Sequence, residues 1–315
     1  MPPTLQDIQQ AAQRIRPYAH RTPVLTNESL NEQVGARVYL KCENFQKVGA
    51  FKFRGACNAV YSLSNEEAAR GVCAHSSGNH AQALALAARM RGIPAYIVMP
   101  NNAPKVKKDA VAGYGGRITF CEPTLEARES TLDRVRSDTG ASVVHPYNDE
   151  RVIAGQGTAA LELLEEVPDL DVIIAPVGGG GLISGTSIAA TELKKGIRVI
   201  AGEPETADDA YRSMKAGGIV PSMNPKTIAD GLLTSLGTLT FPIIQQRVEQ
   251  IVTVSEAGIV ASMKFIWERA KIVIEPSAAV AVSVLWEKKI DLRALKVGVI
   301  LSGGNVDLER LPWQL

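Results

Sequence analysis

Val172-Ile-Ile-Ala175 is an unbroken apolar run, followed after two residues by Gly178-Gly-Gly-Gly181 and a helix-forming stretch that begins at Leu182. A run without polar alternation reads as a strand buried on both faces, the condition of strands in a parallel sheet wrapped by helices. Consecutive glycines after such a strand let backbone amides curl around an anion, and the following helix N-terminus adds its partial positive charge. The stretch therefore reads as a phosphate cradle at a strand's carboxyl end. It is not a Walker loop, because no Gly-Lys-Ser/Thr follows, and Ile183 and Ser184 stand where a dinucleotide fingerprint needs its third glycine. The plainer alternative is a tight structural turn, for which four glycines would cost needless unfolded-state entropy.

A strand-helix alternation extends to both sides. Thr4 can cap a first helix, with Asp7 as a shortened capping box, that runs through Ala12 and Ile15 to Pro17. A short strand, a helix ending at Gly35 and the strand Val38–Glu43 precede a helix opened by the Lys52 stretch. Strands at 71–75, 95–99, 118–120 and 142–144 then interleave with helices at 81–90, 105–111 and 125–136. A second series places helices over 157–165, 182–194, 258–269 and 277–286 between strands at 172–175, 198–201, 251–254 and 297–301. Such alternation implies open, mostly parallel sheets flanked by helices, the α/β class. Residues 217–239, rich in Gly, Pro, Ser and Thr, read as loops near a site.

With 315 residues and 45% hydrophobic content, the chain can bury one large or two closely packed cores. A net charge of +1 without a Lys/Arg run gives no footprint for nucleic acid or an anionic membrane. The partners expected are small molecules or copies of the chain. Cys42, Cys57, Cys73 and Cys121 lack the spacing of a zinc site or a disulfide framework and read as reduced and mostly buried. An N-terminus without a basic region and apolar run, and no segment of membrane-spanning length, point to a soluble cytoplasmic protein.

Three further motifs bear chemistry. In Lys47-Val-Gly-Ala-Phe-Lys-Phe-Arg-Gly55, Lys52 stands between two phenylalanines, and desolvation would favour the neutral amine that attacks carbonyls. Alternatively it is a helix lysine with its stem on apolar neighbours and its head in water. Ser302-Gly-Gly-Asn305 follows the last strand, so it could converge with the Gly178 turn on one ligand beyond the sheet's carboxyl edge. Ser76-Ser-Gly-Asn-His80 links a strand to a helix and could bind a carboxylate through hydroxyls, an amide and free backbone N–H groups, or act simply as an N-cap.

The ordered set AFKFRG, SSGNHA, GGGGLISG and SGGN resembles the fold type II pyridoxal-phosphate enzymes, which are tryptophan synthase β-like, and within them the serine racemase and serine/threonine dehydratase branch. The resemblance runs from Arg21 to Asp307. It implies a small domain, 70–147, inserted into a large one formed by 1–69 and 148–315, and a homodimer. By matching motif, Lys52 would hold the cofactor as a Schiff base and Phe51 would pack beside its ring. Asn79 would bond the phenolic oxygen, Gly178, Gly179, Gly180, Gly181 and Leu182 would hold the phosphate, and Ser302 would face the pyridine nitrogen. Ser76, Asn79 and His80 would bind the substrate carboxylate, and Ser77 would act on the face opposite the lysine. Arg128 matches an arginine at the active-site mouth that could clamp a second carboxylate; otherwise it is an exposed helix arginine. Glu203, the Ala207 carbonyl and Asp209 resemble the branch's site for magnesium, manganese or calcium, with an acidic helix N-terminus as the alternative.

Two departures stand out. Val48 and Ala50 replace hydroxyl-bearing residues common before the Phe-Lys pair, and Val48 and Tyr147 replace polar residues where animal serine racemases bind a nucleotide, so ATP activation is not expected. His145-Pro-Tyr-Asn148 and the segment 307–313 look closer to plant-type serine racemases and bacterial 3-hydroxyaspartate dehydratases. The implied function is serine racemase with L-serine dehydratase activity. The alternatives are 3-hydroxyaspartate dehydratase, L-threonine dehydratase, or a non-catalytic protein that keeps the fold and binds the cofactor or an amino acid.

Overall fold

Asp7 donates its amide to the Thr4 hydroxyl, and its carboxylate accepts the Thr4 amide at 2.7 Å; this reciprocal cap starts α1, Leu5–Ile15. The fold is that of a computed structural model describing residues 2–314. The chain continues with β1 (Val24–Leu25), α2 (Glu28–Val34), β2 (Arg37–Cys42), α3 (Lys52–Tyr61) and α4 (Asn65–Arg70). Next come β3 (Val72–His75), α5 (Asn79–Arg91), β4 (Ala95–Pro100), α6 (Lys105–Gly113), β5 (Arg117–Cys121), α7 (Leu125–Thr139) and β6 (Ser142–Val143). The remainder is α8 (Glu150–Glu166), β7 (Val172–Pro176), α9 (Gly181–Leu193), β8 (Arg198–Pro204), α10 (Asp209–Ala216), α11 (Thr240–Arg247), β9 (Gln250–Val254), α12 (Glu256–Phe265), α13 (Pro276–Trp286) and β10 (Lys296–Leu301).

The strands form two sheets. One has the order β1-β2-β10-β7-β8-β9, parallel except for β1 against β2; the other, β5-β4-β3-β6, is parallel throughout. β7 is buried along its whole length, as its apolar run requires. One core face joins that sheet to α12 and α13, a second packs α8, α9 and α11 on its other side, and a third runs from Phe53 through Val152 to Ile97, joining the two sheets' helices. Cys42, Cys57 and Cys73 are buried and free, with Cys121 half-buried. No helix among the described residues is long and apolar enough to cross a membrane.

The expected helix over 157–165 begins earlier, at Glu150, because Asp149 caps it through the amides of Arg151 and Val152. Its early glycines conceal that start, yet they are needed: a Cβ on Gly155 would lie 2.6 Å from the Gly55 Cα, so α3 and α8 touch backbone to backbone. The helix expected over 258–269 loosens into a π turn at Ile266–Ala270. α4 and α11 were not foreseen; both are short, and a six-residue or eight-residue helix shows little periodicity.

Two residues beyond Lys52, Arg54 has no exposed surface and closes a network under α3. Its guanidinium donates to both oxygens of Glu43 at 2.7 and 2.8 Å and to both oxygens of Glu162 at 2.8 and 2.7 Å, while Lys41 donates to Glu162 at 2.6 Å. Burial alone would lower the Arg54 pKa, but Glu43 and Glu162 reverse this and raise it. Removing the cation leaves two carboxylates without their fork. Arg54→Met is therefore expected to cost about 3–5 kcal/mol of unfolding free energy in urea. Arg54→Lys, which keeps the charge without the fork, should cost less; equal stability of both variants and the wild type would contradict the account.

Candidate active site

Lys52 is the first residue of α3. Its Nζ donates to the Pro146 carbonyl oxygen at 2.8 Å and lies 5.1 Å from the centre of the Phe51 ring. Burial lowers its pKa to about 8, against the opposing pull of the Glu275 carboxylate. Lys52 is half-buried, and its head is engaged by a carbonyl oxygen.

The segment before Lys52 is tied to the turn after β10. Phe51 N donates to Ser302 O at 3.0 Å, Gly304 N donates to Gly49 O at 2.9 Å, and Ala50 forms an antiparallel bridge with Gly303. Val48 is held at a φ of 57°, a left-handed conformation uncommon for a β-branched residue, and its carbonyl accepts from Asn305 Nδ2 at 2.7 Å. Ser302 is buried. Asn305 Nδ2 also donates to Asn79 Oδ1 at 2.9 Å, and Asn79 Nδ2 donates to the Glu275 carboxylate at 3.0 and 3.2 Å. Burial raises Glu275 to about 7. Sequence reasoning missed Glu275, although an acidic residue between Ile274 and Pro276 at the start of an apolar helix is a legible signal.

The Gly178–Gly181 turn lies where the sequence implies, after β7 and before α9. Gly180 adopts a φ of 90°, and the first helical bond runs from Ser184 N to Gly180 O at 2.9 Å, so the amides of the first turn stand outside the helical ladder. A Cβ on Gly179 would come 2.3 Å from the Tyr147 ring. Tyr147 thus packs on the turn, one residue beyond the carbonyl that receives Lys52. Thr240 Oγ1 supports the turn from beneath by donating to Gly179 O at 2.8 Å.

Ser76 to His80 join β3 to α5. Ser76 N is engaged with Val98 O and its hydroxyl accepts from Gly78 N, whereas the amides from Asn79 to Ala81 belong to the first turn of α5 and lack intrahelical partners. Anion binding by this turn would fall to those amides and not to the Ser76 amide. Ser77 and Asn79 are half-buried. His80 Nε2 donates to Val144 O at 2.8 Å, and burial followed by the Lys52 charge lowers the ring to about 3. His145 accepts the amides of Tyr147 and Asn148 on Nδ1, and burial lowers it to about 4. Both imidazoles are therefore neutral around Lys52. Arg128, in α7, is half-buried, with its Nε buried and unpartnered among the described residues.

Glu203, the residue before the end of β8, caps α10: its two carboxylate oxygens accept the amides of Ala210 and Tyr211, each at 2.8 Å. The acidic-helix alternative is therefore realised for Glu203. Asp209 differs: both its oxygens are buried with no partner at full hydrogen-bond distance among the described residues, and burial, against a weaker pull from Ser222, raises its pKa to about 6. Among the described residues no group of three or more His, Cys, Asp or Glu forms a metal cage. Two carboxylates and a backbone carbonyl are the donor types a hard divalent cation takes, and the unpartnered oxygens of Asp209 are the ones free to meet it.

The model of the pyridoxal-phosphate dependent enzymes matches residues 15–303, and the chain belongs to that family. The β-hydroxyaspartate dehydratase of Paracoccus denitrificans is 53% identical to it over 311 residues, covering 99% of each chain. The serine racemase of Arabidopsis thaliana is 52% identical over 309 residues, covering 96% of this chain and 93% of that one. The structure of maize serine racemase matches the fold with a TM-score of 0.96 at 46% identity, over 100% of this chain and 97% of that chain. The chain is therefore an enzyme of α/β fold type II, as its motif set implies.

Pyridoxal phosphate fits the residues present: an amine near neutrality, a glycine turn with free amides, and a buried hydroxyl at Ser302 converge on one sheet edge. Because the folded Lys52 pKa of about 8 lies below the ordinary 10.5, the unfolded chain binds a proton between those values that the folded chain does not. Stability of the cofactor-free protein should accordingly rise with pH across that window. In trapping of the cofactor-free protein with a small aldehyde and hydride, followed by peptide mass spectrometry, Lys52 labelling is expected to reach half its maximum near pH 8. A midpoint in the ordinary lysine range would overturn the assignment.

Proposed function

We propose that this enzyme racemises serine and also dehydrates L-serine to pyruvate and ammonia, with pyridoxal phosphate as its cofactor. The observation that carries the reading is Lys52: a half-buried lysine whose amine is lowered toward neutrality, bonded to Pro146 O beside the ring that covers the Gly178–Gly181 turn. The serine racemase similarity at 52% identity supports the choice of substrate.

When bound, the cofactor supplies an electron sink for the carbanion at the substrate's α-carbon. Lys52 would carry the cofactor, and in its freed, neutral form Nζ would take the α-proton as general base. The amides of Gly178 to Leu182 would hold the phosphate and Asn79 would bond the phenolic oxygen. Ser302 Oγ would meet the pyridine nitrogen as a neutral partner, so that nitrogen would not be held protonated as a carboxylate would hold it. Phe51, with its ring beside Nζ, would keep water from the amine. The first-turn amides of α5 would orient the substrate carboxylate, with His80 holding the turn through Val144 and Ser76 bracing it. Ser77 Oγ would return a proton to the α-carbon from the face opposite Lys52, giving D-serine. Without that return, the β-hydroxyl leaves and hydrolysis yields pyruvate.

A second reading is dehydration of 3-hydroxyaspartate to oxaloacetate. The unpartnered Nε of Arg128 favours it, because a guanidinium can pair with a second carboxylate. The reading further includes a small domain over 70–147, whose strands make their own sheet and whose α6 reaches the other part through Lys107 and Asp230 at 2.7 Å. It includes a homodimer, on the strength of the family resemblance, a cytoplasmic location, and a divalent cation held by Glu203, the Ala207 carbonyl and Asp209.

A substrate panel tests the reaction. L-serine is expected to give both pyruvate and D-serine, all turnover should vanish in Lys52→Ala, and Ser77→Ala should lose D-serine formation while pyruvate formation persists. Oxaloacetate formed far faster from 3-hydroxyaspartate would move the assignment to the second reading, and 2-oxobutyrate from threonine to a threonine dehydratase. For the cation, a chelator should lower the thermal midpoint of the wild type, and magnesium, manganese or calcium should restore it. Asp209→Ala should abolish that response; a chelator-insensitive wild type would remove the cation from the account.

A further inference from the structure

We propose that Glu275 is a positioning residue for the cofactor ring: its buried carboxylate locks the orientation of the Asn79 amide. The inference rests on the pyridoxal-phosphate reading above and assigns a role to a residue outside the motif set. Glu275 has only 5% of its surface exposed. Its backbone N donates to Gly303 O at 3.0 Å and its Oε2 accepts from Asn305 N at 3.1 Å, so the turn after β10 wraps around it. A Cβ on Gly303 would fall 2.7 Å from Oε1, which leaves room for glycine alone against the carboxylate.

The hydrogen bonds form a chain with acceptor-only groups at both ends. The Val48 carbonyl can only accept, so it fixes Asn305 with Nδ2 toward Val48. That Nδ2 then meets Asn79 Oδ1, and Asn79 Nδ2 meets the carboxylate of Glu275. Both Glu275 oxygens face N–H donors, Asn79 Nδ2 and Asn305 N, so in its ionised form the carboxylate only accepts, and rotating the Asn79 amide would set oxygen against oxygen there and nitrogen against nitrogen at Asn305. One Nδ2 hydrogen of Asn79 is committed to Glu275. The other is left as a donor whose direction cannot reverse, which is the property needed to bond a phenolic oxygen. Lys52 and Lys107 are the cations whose fields reach this site, and Asp230 opposes them.

Glu275→Gln keeps the size of the side chain but lets it donate as well as accept, so the amide can adopt both orientations. Titration of the cofactor-free variant with pyridoxal phosphate should show affinity weakened about tenfold or more, and the bound cofactor should show an altered balance of absorption bands. The thermal midpoint of the cofactor-free variant should match or exceed that of the wild type, because a buried charge has been removed. In an Asn79→Ala background the same substitution should have no further effect on affinity. Unchanged affinity and spectrum, a parallel fall in the cofactor-free midpoint, or additive losses in the double variant would each overturn the proposal. A wild type that takes up no pyridoxal phosphate would instead overturn the functional reading itself.

Discussion

The bonds that join Ala50 and Phe51 to the turn after β10 decide where Lys52 goes. Without them, the 3-10 turns between β2 and α3 would be an ordinary surface connection, and α3 would start wherever its apolar face found cover. With them, the first residue of α3 is pinned to the carboxyl edge of the large sheet. Below, Arg54 and the Gly55–Gly155 contact fix the helix on α8. The lysine is thus held from two sides by groups that cannot move independently, and the cost of desolvating its amine is met by that packing.

Electrostatics around the amine follow from the same burial. His80 and His145 are driven neutral, and each ring uses a nitrogen to organise the 144–148 turn, so imidazoles near Lys52 serve as scaffolding. The charged groups divide into two sets. Arg54, Lys41, Glu43 and Glu162 neutralise one another beneath the helix, while Lys52 and Glu275 face the space where the turns converge. The first set makes structure; the second is left with unspent charge, the condition under which proton transfer is easy to tune.

Much of this was legible in the sequence because it is local. The apolar run at 172–175, the glycines after it and the Ser302 turn announce themselves by composition, and both sheets follow from the alternation of strands and helices. The start of α8 was hidden because its glycines serve contacts with other helices, and α4 and α11 are too short to show a period. Glu275 was missed for a different reason. Its local setting, an acid opening an apolar helix, marks it as unusual, but its meaning lies in partners 196 and 30 residues away. For Glu203, the composition was read correctly as acidic, but only coordinates distinguish a carboxylate occupied by backbone amides from the unpartnered one at Asp209.

The position of β10 bears on how such a chain is made. β10, far along the chain from β2 and β7, is inserted between them in the middle of the large sheet and carries at its end the turn that anchors Lys52. Until it arrives, β2 and β7 present apolar edges with unpaired amides and carbonyls, the kind of surface that recruits other chains. The sheet therefore cannot close until β10 has been made. A chain cut before β10 would lose the seam of the sheet as well as the turn that carries Ser302, and would be expected to aggregate instead of persisting as a slightly weakened enzyme.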